Sequence, residues 1–363
     1  MQPLDESTLL RSSDPLLIVT APTTHDALLG FSILLNRYVL GLETHFTFSL
    51  SINSRRIAEL LNLYKASVLI GLENNVPRLS ASDSSLIIYI TDISPRFKIE
   101  APSNVKLHDW TQLQYLGGIG DKVATLALIG KTLDDDSPYA ALTRFQKIDK
   151  NLTRSNVPVA FSISSNDPRL SLWPLIMNEV NASGQSMEVL RVLLSRLPNE
   201  FTSTYMDYIL VPSMWLGNIN LAKLYLLVEA HMALNSNDTE EGKMPRLPLL
   251  LLMNAWRSPS LLDDELNRIA KPYIDLVKST ISKMLSALSR SRQYEFMLSD
   301  NLVLIHRICQ ILSYLDSRYV VKLVHRASAA KMICVPGNAT PPSGDIAFYK
   351  GNRYLRIVEQ STT

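Results

Sequence analysis

Three aspartates stand where a β-prone run or a glycine-rich turn gives way to the next element. Asp92 ends the apolar run in SLIIYITDISPRF (85–97), Asp26 follows PLLIVTAP within TAPTTHDALLG, and Asp121 sits in YLGGIGDKVA. Carboxylates gathered at the carboxyl edge of a parallel sheet can hold a hard divalent cation and work on a phosphate there. The residues after Asp92 do not extend that chemistry. Ile93 and Ser94 neither ligate a metal well nor move a proton at neutral pH.

A two-metal hydrolytic site must hold its cations about 3.5–4 Å apart and activate water between them. Imidazoles favour transition metals, whereas carboxylates suit Mg or Mn. Asp26, Asp92 and Asp121 suffice for one Mn or Mg ion at most. Glu73, two residues after Gly71 and on the same strand face, is a poor fourth donor. Each aspartate also has a structural reading. Asp26 fits the first turn of a helix capped by Thr23 or Thr24, and Asp121 complements the dipole of a second helix. Asp92 fits a turn in which it bonds its own backbone. His25 reads as an exposed polar residue, and His45, His108, His231, His306 and His325 as core-edge or surface residues. No Ser-His-Asp order and no Walker loop occur, and GGIGD is too short for a dinucleotide fingerprint. Cys309 and Cys334 fit neither a zinc spacing nor a disulfide framework and read as inert thiols.

The elements that would position these groups alternate in the first third. PLLIVTAP (15–22), HFTFSLSI (45–52), SVLIGL (67–72) and SLIIYI (85–90) read as buried strands, rich in Ile, Leu and Val as parallel strands tend to be. Helical spacing covers 25–40 and SRRIAELLNLY, where Asn53 or Ser54 would cap. Two further helices are expected from Trp110 to Gly117 and from Lys122 to Ile129, with Gly117, Gly118 and Gly120 as a tight turn. The pattern predicts an α/β fold with a doubly wound, mostly parallel sheet, chemistry lying at the carboxyl ends of its strands. From about 186 to 330 helical periodicity dominates, and 331–363 suggests a short C-terminal β-hairpin turning at Lys350-Gly351-Asn352. The expected domains are an α/β domain at 1–165, a mainly helical domain at 166–330 and a strand-rich tail at 331–363.

Composition bounds the function classes. The chain has 363 residues, 46% hydrophobic and 19% charged, with net charge +2, enough to bury a sizeable core in two domains. The N-terminus MQPLDESTLLRSSD is polar and acidic, unlike a signal or transit peptide. LPLLLLMNAW (247–256) is about half the length needed to cross a bilayer. The expectation is a protein without membrane association, cytoplasmic and nucleoid-associated, or nuclear in a eukaryote. From Trp256 to Lys331, twelve Lys and Arg face seven Asp and Glu. Within that stretch Arg290, Arg292, Tyr294, Arg318, Lys322 and Arg326 interleave cations with aromatics, as single-stranded DNA binding requires. A solvated basic helical face is the alternative reading.

The order of these segments resembles the RecJ-like DHH phosphoesterase superfamily. In that family a first strand leads to Asp-x-Asp-Gly, a second ends in Asp, a third ends in Asp-His-His, and a Gly-x-Ile/Leu-Gly-Asp element precedes a helix. Here Thr24-His25-Asp26-Ala27 stands at the first motif with one of its two aspartates, and Gly71 replaces the carboxylate of the second. Asp92-Ile93-Ser94-Pro95 stands at the third without its histidines, and Leu116-Gly117-Gly118-Ile119-Gly120-Asp121 keeps the fourth. The resemblance spans roughly 15–135. The tail shows no Gly-Gly-Gly-His-type motif, with which active RecJ-like proteins end.

This resemblance implies a catalytically inactivated member, with Asp26, Asp92 and Asp121 as vestigial metal-site positions, no catalytic residue and no resident metal or cofactor. It is similar in this to the RecJ-related subunit of the archaeal and eukaryotic replicative helicase, which works beside the MCM ring and the GINS complex. The implied role is a non-catalytic scaffold binding GINS-like and MCM-like partners and single-stranded DNA. Two alternatives stay open: a weak, single-metal phosphoesterase or single-strand exonuclease of the RecJ type, and a nucleotide-sensing α/β protein.

Overall fold

The computed structural model describes residues 11–21, 23–49, 55–72, 86–90, 105–108, 118–135, 152–162, 208–216, 219–235 and 246–260, scattered helical positions between 262 and 283 and at 303, 304, 307 and 308, and strands 293–298, 320–325, 331–336, 347–350 and 354–359. Its first sheet joins β1 (Leu16–Thr20), β2 (Thr44–Phe48), β3 (Ala66–Ile70), β4 (Leu86–Ile90) and β5 (Val105–His108) in the order β2-β1-β3-β4-β5. Every neighbouring pair is parallel. Parallel strands are reached by crossovers, and helices therefore cover both faces. The central strands are almost wholly apolar because both faces are inside: all five residues of β1 and of β3 are buried.

Alternation along the strands assigns the two faces. Leu16, Ile18, Val68, Ile70, Ile88 and Ile90 share one core with α1 (Thr24–Val39) and α3 (Gly118–Asp135). Leu17, Val19, Leu69 and Ile87 share a second with Ile57 and Leu61 of α2 (Arg55–Leu63). This is the doubly wound α/β arrangement expected from the sequence. Helix α1 lies close on the sheet at Gly30, where a Cβ would stand 2.6 Å from Thr20 Cγ2 and 2.7 Å from Phe46 Cε2. At its far end the fully buried Arg37 donates to the carbonyls of Ser12, Asp14 and Glu43 and to Thr44 Oγ1 (2.8–3.1 Å). That one guanidinium ties the entry of β1 to the entry of β2.

Helix α3 begins earlier than expected and runs longer. Gly118 and Gly120 lie within its first turn instead of forming a turn before it. The expected helix from Trp110 to Gly117 and the caps at Asn53 and Ser54 lie outside the described residues.

The larger core continues beyond the sheet. It takes in Leu224, Leu227 and Val228 of α4 (Leu221–Leu234), Leu249 and Leu252 of α5 (Arg246–Ala255), and the helical residues Tyr273, Val303 and Ile308 further along the chain. The region of helical periodicity also carries strands. β6 (Leu152–Ser162), β7 (Tyr208–Leu216) and β8 (Ile219–Asn220) form an antiparallel sheet, so β6 and β7 pair across position 165. Their register shifts between Ser155 and Val159, opposite Pro212, which has no N–H for the ladder. β9 (Gln293–Leu298) and β10 (Val320–His325) join the C-terminal strands in a sheet of order β12-β13-β11-β10-β9. The expected hairpin is present as the antiparallel pair β12 (Ala347–Lys350) and β13 (Tyr354–Glu359). It extends onto β11 (Lys331–Pro336).

Candidate functional site at the sheet switch point

Chain order reverses between β1 and β3, so the crevice beyond their carboxyl ends is where doubly wound sheets place ligands. Two short segments line it. After β1 comes Ala21, whose N–H bonds Ile70 O (2.9 Å), then the cap of α1; after β3 comes Gly71, whose N–H bonds Ile90 O (2.9 Å). Thr23 is the N-cap of α1, with extended backbone (φ −102°, ψ 151°). Its Oγ1 accepts the Asp26 N–H (3.2 Å), and its hydroxyl donates to Asp26 Oδ2. The cap and the third residue of the helix thus hold one another, a variant of the capping box. The positive end of the helix dipole favours the carboxylate there.

Asp26 is 1% exposed. Its Oδ2 also lies 3.6 Å from Nε2 of His25, while Oδ1 has no hydrogen-bond partner among the described residues. His25 is 0% exposed, which corrects its reading as an exposed residue: the first turn of α1 is inside the molecule, not at its rim.

Gly71 explains where the Asp26 carboxyl sits. It has φ +64°, a left-handed conformation that side-chain-bearing residues rarely adopt. A Cβ built on it would collide with Asp26 Cγ and both of its carboxyl oxygens. The space that a side chain at 71 would need is filled by the carboxyl of 26.

Thr24, the first residue of α1, points to a second polar cluster. Its Oγ1 donates to Glu229 Oε2 (3.1 Å). Glu229 Oε1 also accepts from Tyr273 OH (2.6 Å) and Arg307 Nε (2.9 Å), and its Oε2 accepts from Arg307 Nη2. All four residues are 2% exposed or less. Burial, then the Glu229 charge, pushes the Tyr273 hydroxyl well above its ordinary pKa, so it stays a neutral donor. Arg307 belongs to the stretch counted as basic, but its charge is neutralised inside the core. On α4, the buried His231 places Nε2 2.9 Å from Oε1 of Glu265, whose carboxyl is held below its usual range chiefly by the Arg268 hydrogen bond.

The other residues singled out in the sequence are placed as follows. Asp121 lies in the first turn of α3, partly exposed, and its carbonyl accepts the Thr125 hydroxyl (2.9 Å). Asp92, Glu73, Arg290, Arg292, Arg318 and Arg326 lie outside the described residues. Tyr294 and Lys322 fall in adjacent parallel strands, β9 and β10, with Tyr294 opposite Val321 and Lys322 opposite Glu295. They are therefore on a sheet and not on the helical face considered from the sequence.

The described residues do not make a two-metal site. Position 71 supplies no ligand and has no room for one, and no three His, Cys, Asp or Glu among the described residues converge on a cation. The cluster around Glu229 escaped the sequence reading, although a signal was present. Glu229 in LLVEAHMAL and Arg307 in LIHRICQIL are single charges within apolar runs, where burial demands a partner.

No protein-family model and no curated protein sequence matches the chain. Among solved structures it is similar to RecJ in complex with Mn2+ from Thermus thermophilus (TM-score 0.47, 11% identity, 97% of this chain and 50% of that one). It is also similar to CDC45 from Entamoeba histolytica (TM-score 0.49, 10% identity, 96% and 93%) and to exonuclease RecJ bound to manganese (TM-score 0.45, 13% identity, 97% and 87%). The chain spans half the length of the Thermus RecJ chain. These are partial likenesses of shape.

Proposed function

We propose that this chain is a non-catalytic relative of the RecJ-like DHH phosphoesterases. In this reading it serves as a scaffold subunit of a DNA replication helicase complex with GINS-like and MCM-like partners. The observation that carries the loss of catalysis is the packing of the Asp26 carboxyl against Gly71, sealed at 1% exposure. A phosphodiesterase must admit a phosphate and a water to its ligands, and a carboxyl wedged against backbone admits neither. The replication role draws on the order of the four degenerate motifs along 15–135, independently of the shape comparisons. Such a subunit acts geometrically: docked, it stabilises a productive helicase, and no bond is broken. Single-stranded DNA binding by Arg290, Arg292, Tyr294, Arg318, Lys322 and Arg326 belongs to the same reading.

Affinity purification of the full chain from its own cells tests the role. GINS-like and MCM-like proteins retained through moderate salt support it, and their absence from a complex that holds other proteins overturns it. The rival reading, a single-metal nuclease on Asp26, Asp92 and Asp121, draws on Asp26 Oδ1, which has no hydrogen-bond partner among the described residues. Mn2+-stimulated cleavage lost in Asp92→Ala would favour it.

A further inference from the structure

We propose that Glu229 couples the helical layer to the switch-point crevice, so that α4 and the first turn of α1 move only together. The inference does not depend on the replication reading, since it rests on four side chains. One carboxylate accepts from three residues. Thr24 reaches it from α1, Tyr273 and Arg307 from helical positions on either side of β9, 44 and 78 residues further on, and Glu229 itself stands on α4, 205 residues from Thr24. Both oxygens are engaged and the group is 1% exposed, so water cannot replace a donor that withdraws.

Thr24 is the mechanical link. It lies between the cap Thr23 and Asp26, and those two residues are bonded to one another. A displacement of Glu229 that carries Thr24 with it shifts the cap and thereby the Asp26 carboxyl over Gly71. Release of Glu229 is then required before the crevice can open. Breaking the buried ion pair without replacing its partners carries a large cost, which holds the latch closed.

Such coupling is reciprocal, and the test uses that property. Native-state hydrogen exchange would be followed by mass spectrometry in the full chain and in Thr24→Val, Glu229→Gln and Thr125→Val. Thr24→Val keeps the shape and removes one buried donor. About tenfold faster exchange is expected across α4 and around Tyr273, as well as in the first turn of α1, from the loss of one hydrogen bond. Glu229→Gln should accelerate the first turn of α1 and the 66–71 segment. Thr125→Val, which breaks the bond to Asp121 O on α3, should leave α4 unchanged. Acceleration confined to α1 in Thr24→Val overturns the coupling. Should Glu229→Gln fail to fold, the mild Thr24→Val still decides the matter.

Discussion

The carboxyl of Asp26 occupies the volume that a side chain on Gly71 would require, across a separation of 45 residues in the chain. Two restraints coincide at Gly71, its left-handed φ of +64° and the steric contact, and they predict different responses to substitution. Gly71→Ala adds overpacking of about 1–3 kcal/mol to left-handed strain of about 1–2 kcal/mol. In an Asp26→Ala background the steric part should vanish and the strain remain. Urea unfolding of the four proteins in the cycle should therefore give a coupling of about 1–3 kcal/mol between the two sites. Additive effects would mean that the two residues do not compete for space.

Arg307→Met leaves the Glu229 carboxylate buried without its charged partner. Breaking such a pair from one side costs about 3–5 kcal/mol, far more than its net contribution. Glu229→Leu combined with Arg307→Met should recover only part of that loss, because neither charge is then stranded but the buried Thr24 and Tyr273 hydroxyls lose their acceptor. Denaturant midpoints at neutral pH check both statements.

Tyr273 predicts a pH dependence at the alkaline end. Its folded pKa is raised well above 10.0 by burial and by Glu229, whereas the unfolded chain ionises near 10.0. The neutral phenol is favoured in the folded state. Its contribution is therefore fully present below pH 10.0 and is lost as pH rises from there towards the folded pKa. The stability difference between wild type and Tyr273→Phe should shrink above that pH, read from chemical denaturation. A difference that grows would reverse the sign of the burial argument.

Arg37 makes a prediction at the opposite end of the sheet. Its buried guanidinium is satisfied by three carbonyls and a hydroxyl, which Met cannot replace. Arg37→Met should destabilise by about 3 kcal/mol, from several orphaned acceptors at about 1 kcal/mol each. Exchange protection should fall first at the entries of β1 and β2.

The central strands β1, β3 and β4 were legible in the sequence because they are buried, so that LLIVT, ASVLI and LIIYI read as short, nearly unbroken apolar runs, whereas the edge strand β5, VKLH, was not expected. The cap of α1 was legible too, since Thr-x-x-Asp before an apolar period supplies its own oxygen acceptors. The filling of the crevice was not. Nothing in ASVLIGLEN reveals that Gly71 takes a positive φ or that Asp26 leans on it, because both depend on the β1–β3 pairing. The strands VVKLVH and QYEFML lay within a helical period, and only their pairing with one another and with the tail settles them as a sheet.

The central claim is that the Asp26 crevice is closed to catalysis, and a direct measurement exists. Purified full-length chain is titrated with Mn2+ in a calorimeter, and an end-labelled single strand of DNA is then added and followed on a gel, in parallel with Asp92→Ala. The account predicts no cleavage above the buffer control in either protein. Mn2+-dependent cleavage by the wild type that Asp92→Ala abolishes would contradict it.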